Sequence, residues 1–110
     1  MIVEVDAGRL DKRIEIQETY EVKDGQGGFV DDWRTLTSCW AEIRSLGAKQ
    51  VFEYRAKNVH ASHIVKIRGQ ISVAEDYRIK FGDRLFEILF VEDEREEGVL
   101  KWITCKEQRD

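Results

Sequence analysis

The sequence contains no proline, which removes proline-rich linkers, collagen-like repeats and proline-kinked helices from consideration. Cysteine is scarce: Cys39 and Cys105 stand far apart in the chain. A disulfide scaffold concentrates more cysteines in fewer residues, so the expected state is two small apolar side chains on strands, in a reducing compartment. Histidine is limited to His60 and His63. Residues three apart on a strand point to opposite faces, so this pair does not grip one metal ion there, and no metal or other cofactor is expected. No apolar run reaches the ~20 residues that a membrane-spanning helix requires, so no membrane partner is expected. Positive charge is not in excess either. Eighteen Lys and Arg face 22 Asp and Glu, a net charge of −4 that argues against a free-standing non-specific DNA binder. Glu4, Asp6 and Arg9 interrupt residues 1–10 where a signal peptide would be apolar, so the expected location is the cytoplasm of the producing cell.

What is present is a globular composition. The 110 residues fit one domain, residues 1–110, and 10% aromatic with 42% apolar content is enough to seed a core. Alternation of polar and apolar residues dominates. Arg13 to Glu18 reads as a half-buried strand. In residues 39–44, Cys39, Ala41 and Ile43 oppose Trp40, Glu42 and Arg44. In residues 63–68, His63, Val65 and Ile67 oppose Lys66 and Arg68. Tyr77, Ile79 and Phe81 share a face, and Gly82-Asp83 then predicts a tight hairpin into residues 84–91. That segment is apolar on both faces, with Phe86, Ile88 and Phe90 on one and Leu85, Leu89 and Val91 on the other. One face suits a barrel interior, and the second needs cover from a helix, a loop or another subunit. A last strand runs from Val99 to Lys106, and Gln70 to Val73 is a short extra candidate. The expected fold is mainly β: a small antiparallel β-barrel of six or seven strands with one short helix and a long loop.

Two segments break the alternation. Residues 21–32 hold three glycines among Asp24, Asp31 and Asp32 and read as a flexible hairpin loop. Residues 46–60 have a weak helical period, with Ala48, Val51, Phe52 and Val59 against Lys49, Glu53 and Lys57, and Ser45 as a loose cap. Sites of chemistry do not converge. Gly25, Gly27 and Gly28 lack the Lys-Ser/Thr and the following helix of a phosphate loop. Asp31-Asp32 and Glu92-Asp93-Glu94 lack calcium-loop spacing, and nothing near Cys39 makes it a nucleophile. No enzyme is expected.

An ordered series of short motifs resembles one family. Residues 7–17, Ala-Gly-Arg-Leu-Asp-Lys-Arg-Ile-Glu-Ile-Gln, are followed by Asp24-Gly25, Gly27-Gly28 and Trp33. Then come Cys39-Trp40-Ala41-Glu42-Ile43-Arg44, Gly47 with the segment to Ala56, residues 63–68, Tyr77-Arg78-Ile79, residues 84–88 and Cys105-Lys106-Glu107. The series is similar to the phage head–tail joining proteins, the head-completion or stopper family of long-tailed phages. Lys49 stands where that family often has a glutamate, and the loops lack proline.

The resemblance implies a structural virion or prophage protein of the head–tail connector. It forms a homo-oligomeric ring below the portal and adaptor, closes the channel over double-stranded DNA, and offers the tail a docking surface. The copy number stays open, a dodecamer among the options, as does a monomeric state before assembly in the bacterial host cytoplasm. Within that picture the net-basic, ambiguous segment 46–60 is the candidate channel- and DNA-facing loop, through Lys49, Phe52, Tyr54, Arg55 and Lys57. The glycine loop is a candidate protein contact, through Asp24, Gly25, Gly27, Gly28, Phe29, Asp31 and Asp32. Glu92, Asp93, Glu94, Glu96 and Glu97 form a candidate acidic docking tip. With Arg95 they account for a charge of −4, so the remainder of the chain is neutral. A tail-side ring such as a tail terminator, and a nucleic-acid-binding barrel of OB type, remain open alternatives.

Overall fold

The computed structural model describes residues 10–93 and 99–108. Its elements are β1 (Lys12–Lys23), β2 (Phe29–Ser45), α1 (Ala48–Ala56), β3 (His63–Arg68), β4 (Arg78–Phe81), β5 (Arg84–Asp93) and β6 (Leu100–Gln108). The six strands close into an antiparallel barrel in the order β1-β2-β3-β6-β5-β4. Gln70 to Val73 forms no strand; Ile71 and Val73 instead pack their side chains against the core.

Inward residues at period two fill the barrel. Ile14 and Ile16, Cys39 and Ala41, Val65 and Ile67, Ile79, Phe86 and Ile88, and Ile103 and Cys105 form one buried cluster. Tyr77 and Phe81 pack against it beside Ile79, as their shared face predicts. Gly82 takes φ +60 in the two-residue turn between Phe81 and Arg84, a conformation that glycine adopts without a Cβ penalty.

One expected face is corrected. The β5–β6 register shifts between Ile88 and Phe90, because Ile88 lies opposite Cys105 while Phe90 lies opposite Thr104. The extra residue reverses the alternation beyond it. Val91 therefore packs on the core, and Phe90 turns outward at 39% exposure.

Both cysteines are buried free thiols. Burial pushes Cys39 up and, with the negative charge of Glu107 adding to it, Cys105 up to about 12. Neither thiol is expected to react with a thiol reagent near neutral pH in the native protein, whereas both should react in denaturant. A colorimetric thiol count checks this, and a fast-reacting native thiol would contradict it. The sign of the pH effect follows. Unfolded thiols ionise from about 8.5, while folded Cys105 holds its proton to about 12. Its contribution is complete at neutral pH and is lost as pH rises through that window.

Candidate functional site

Two protrusions leave the barrel, at opposite ends. The first is a two-stranded arm. β4 pairs with β1 only at Glu15–Gln17, and β3 pairs with β2 only at Glu42–Ser45. Beyond those points β1 and β2 pair with each other alone, out to Lys23 opposite Phe29. The segment 21–32, expected as a flexible hairpin loop, is a hairpin that is mostly strand: residues 21–23 and 29–32 are strand, and the turn is only 24–28. The shortening has a local cause. The Asp24 carboxylate accepts hydrogen bonds from the Gln26 and Gly28 amides at 2.7 and 3.0 Å, which also holds its pKa below the ordinary value. Gly25 and Gly27 have φ near +80 and +87, and a Cβ on Gly28 would sit 2.8 Å from the Asp24 carboxylate.

The base of the arm is braced by a polar network that the sequence reading overlooked. Arg78 stacks over Trp33 at 4.2 Å and donates to Gln17 at 2.7 Å, and Gln17 donates to Thr35 at 3.2 Å. Gln17 is buried, which explains why a polar residue occupies that position. On the opposite face, Arg34 pairs with Glu18 at 2.7 Å and lies over Tyr20. Toward the tip, Phe29 and Val30 are 63% and 50% exposed beside Asp31 and Asp32.

The second protrusion is the excursion between β2 and β3. Leu46 donates to the Ser62 carbonyl and Ser62 to the Cys105 carbonyl, which pins both ends of the segment to the barrel rim. Between them α1 runs for nine residues, none buried. The expected apolar face is therefore not packed: Val51 is half-buried but Phe52 is 74% exposed. Ser45 does not cap the helix. It ends β2, and its hydroxyl lies 3.3 Å from His63 Nε2, while the Gln50 side chain accepts from the Gly47 amide instead. The helix stops at Ala56 because Asn58 adopts φ +62. The Asn58 amide then bonds the Arg55 carbonyl and the Val59 amide bonds the Tyr54 carbonyl, a Schellman closure.

β2 fixes the separation of the two protrusions. It starts at the arm tip and ends at the neck of α1, 17 residues later, about 55 Å at the usual strand rise. This matches the 60 Å long dimension of the molecule. Lys49, Phe52, Tyr54, Arg55 and Lys57 thus gather at one end, and Asp24, Gly25, Gly27, Gly28, Phe29, Asp31 and Asp32 at the other. β5 ends at Asp93, opposite Lys101 beside the far end of β3, so exposed Glu92 and Asp93 share the arm's end of the barrel. Glu94, Glu96 and Glu97 lie outside the described residues.

The charges divide in part accordingly, with Lys23, Arg34 and Arg68 also exposed toward the arm's end and Glu53 and Asp83 toward the helix end. Asp24, Asp31, Asp32, Glu75, Asp76, Glu92 and Asp93 are exposed toward the arm's end. Lys49, Arg55, Lys57, His60 and Lys106 are exposed at the helix end. Beside α1 a cleft of about 420 Å³ is lined by Val51, Arg55, His60, Ala61, Ser62, Lys106 and Glu107. Glu107 is held by a two-point bond from Arg84 at 2.9 and 3.0 Å, a contact that raises the Arg84 pKa. His63 sits beside this pair, with Nδ1 2.8 Å from the Ser62 hydroxyl and its ring edge-on to Phe86. A smaller hollow on another face of α1 is lined by Gln50, Glu53, Tyr54 and Lys57. Lys106 stands alone in the sequence and gives no signal there, and His60 is read there only beside His63; barrel closure brings both beside Arg55. No group of three or more metal-ligating side chains occurs among the described residues.

The fold has solved counterparts. A protein of Shigella flexneri 2a determined in solution superposes with a TM-score of 0.77 at 21% identity, covering 96% of this chain and 99% of that one. A chain from the virion of a native gene transfer agent particle gives 0.58 at 22% identity, covering 86% and 91%. No curated protein matches the sequence. A family model described as phage head completion protein matches residues 5–108, a family of structural rather than enzymatic proteins. With nearly the whole chain inside that match, the chain belongs to the phage head completion protein family.

Proposed function

We propose that copies of this chain, each a single domain, form a ring at the head–tail connector, below the portal and adaptor. The helix end faces the DNA channel and helps to close it, and the arm's end contacts neighbouring connector and tail proteins. The observation that carries this reading is the separation of charge along β2. The solvated Phe52 and its cationic neighbours lie at one end, and an acid-rimmed apolar tip lies about 55 Å away at the other. Cations suit proximity to duplex phosphates, and the acidic end suits protein contact away from DNA. A helix with no buried residue also suits a gate, since such an element shifts position at low cost. The match to a chain within a gene transfer agent virion supports a place in a particle. Before assembly the subunit resides in the host cytoplasm. The OB-type alternative calls for a five-stranded barrel, and six strands close here.

Electron microscopy of connectors prepared with and without this chain tests the reading. The expected result is an added annular density below the portal and adaptor. Connectors of identical outline in the two preparations would overturn it, and density attached only to tail tubes would transfer the chain to a tail-side ring.

A further inference from the structure

We propose that, before assembly, two copies of this chain pair through the open β2 edges of their arms, antiparallel and about a two-fold axis that sets Trp33 of one copy opposite Trp33 of the other. The pairing belongs to the free chain, because neighbouring arms in a ring of like-oriented subunits do not run antiparallel. It goes beyond the ring reading and does not depend on it. The edge is long and unpartnered. β2 meets β3 only from Glu42 to Ser45, so residues 29–41 have no ladder on that side among the described residues. The turn sets the direction of their backbone groups. The Asp24 amide bonds the Gly28 carbonyl, and ladder bonds alternate along the register that follows. Phe29, Asp31, Trp33 and Thr35 therefore aim their amides and carbonyls away from β1. Trp33 shows this directly: its amide donates to the neighbouring Asp32 carboxylate at 2.8 Å, a side-chain substitute for a missing strand. An open edge of this kind is a template for a further strand.

Symmetry and charge then choose the register. A two-fold axis carries each residue onto its equivalent, so the residue at the centre fixes the whole seam. Centring on Asp31, Asp32 or Arg34 sets a charge against itself, which is unfavourable for residues directly opposite. Centring on Trp33 sets Asp32 against Arg34 of the second copy, and does so twice, on one face of the arm. On the other face the two indoles meet, and Asp31 comes opposite Thr35. The backbone agrees, since residues 31, 33 and 35 all point outward and exchange bonds with 35, 33 and 31 across the seam. The charged groups have capacity for it. Arg34 reaches Glu18 through Nε and Nη2 at 2.8 and 2.7 Å, which leaves Nη1 for a second carboxylate. Asp32 releases the Trp33 amide, which turns to the carbonyl across the seam, and the nearby Arg78 is held by Trp33 and Gln17. Exposed Val30 comes opposite exposed Leu36 at each end. The register shift that leaves Leu36 as the extra residue stops the ladder there and keeps the seam short.

The test uses the purified full-length chain. Sedimentation should show a two-copy species that grows with concentration. Asp32→Lys and Arg34→Glu, each alone, should weaken it by about tenfold or more, because each variant sets like charges opposite each other in its own pair. Mixing the two variants should restore it, because both pairs across the seam then have opposite sign. Disulfide formation reads the register, since native Cys39 and Cys105 are buried. Oxidation should join Asp31→Cys chains to Thr35→Cys chains faster than either to itself, and Trp33 stays intact in both. A monomer at every concentration overturns the proposal. So does a dimer that the charge variants leave intact, or one that couples best through Asp32→Cys or Arg34→Cys with itself. Coupling that forms only to an added connector or tail protein also overturns it and gives the edge to a foreign strand. The annular density that tests the ring is untouched by these outcomes, so the two readings fail separately.

Discussion

Phe86→Ala is expected to destabilise the protein by about 3–5 kcal/mol, the usual cost of emptying a buried phenylalanine site. Phe86 has no exposed surface and is among the largest fully buried side chains in the barrel. Its register partners, Ile79 on β4 and Glu107 on β6, belong to strands that pair on both sides, so the wall around the void has little freedom to collapse. The ring edge of His63 rests on Phe86 and the Arg84 guanidinium lies 5.1 Å from its centre, so truncation also disturbs the polar cluster at the helix end. A denaturant titration should show a lower midpoint with the slope nearly unchanged. A loss below about 1 kcal/mol would mean that the barrel repacks freely around the site.

Phe52→Asp combined with Lys57→Glu is expected to do the reverse: spare the fold and impair the particle. Both side chains are exposed and α1 buries none of its residues, so the midpoint of unfolding should move by about 0.5 kcal/mol or less. If the helix end closes the channel, filled heads carrying this double variant should lose DNA that the parent retains, read as nuclease-sensitive DNA after packaging. Each substitution places negative charge where duplex phosphate is to be held, and the effect should weaken as salt is raised. Full retention at low salt would assign closure to another segment.

Most of the barrel was legible because its signal is local. Ile14/Ile16, Cys39/Ala41, Val65/Ile67 and Ile79/Phe81 declare their faces by alternation alone, and the glycine-aspartate pair declares the β4–β5 turn. Errors arose where a single residue changed the phase or where partners were distant in sequence. The irregularity after Ile88 exchanges the positions of Phe90 and Val91, and no composition rule marks it. Residues 21–32 read as a loop in the sequence because three glycines outweigh Val22, Phe29 and Val30, whose strand character emerges only when β1 and β2 pair along their full length. A buried Gln17 makes sense only once Arg78, 61 positions later, donates to it. The candidate residues of α1 do share one place in the molecule, and so do those of the glycine turn. That the two groups sit at opposite ends depends on the length of β2, which the shorter strand expected there did not reveal.

The neck of the α1 excursion has a consequence for how such a chain diversifies. Leu46 and Ser62 are tied by one backbone hydrogen bond, and Ser62 is tied in turn to β6, so the barrel registers only the two ends of what lies between them. The entropy of closing a loop grows slowly with its length, by about 0.6 kcal/mol per doubling. Segments of quite different length and charge are therefore exchangeable at this position without redesigning the strands beneath. If the helix end closes the channel as proposed, a lineage that meets a wider or narrower bore, or a genome packed to a different density, has a replaceable insert to adjust and a constant mount to keep.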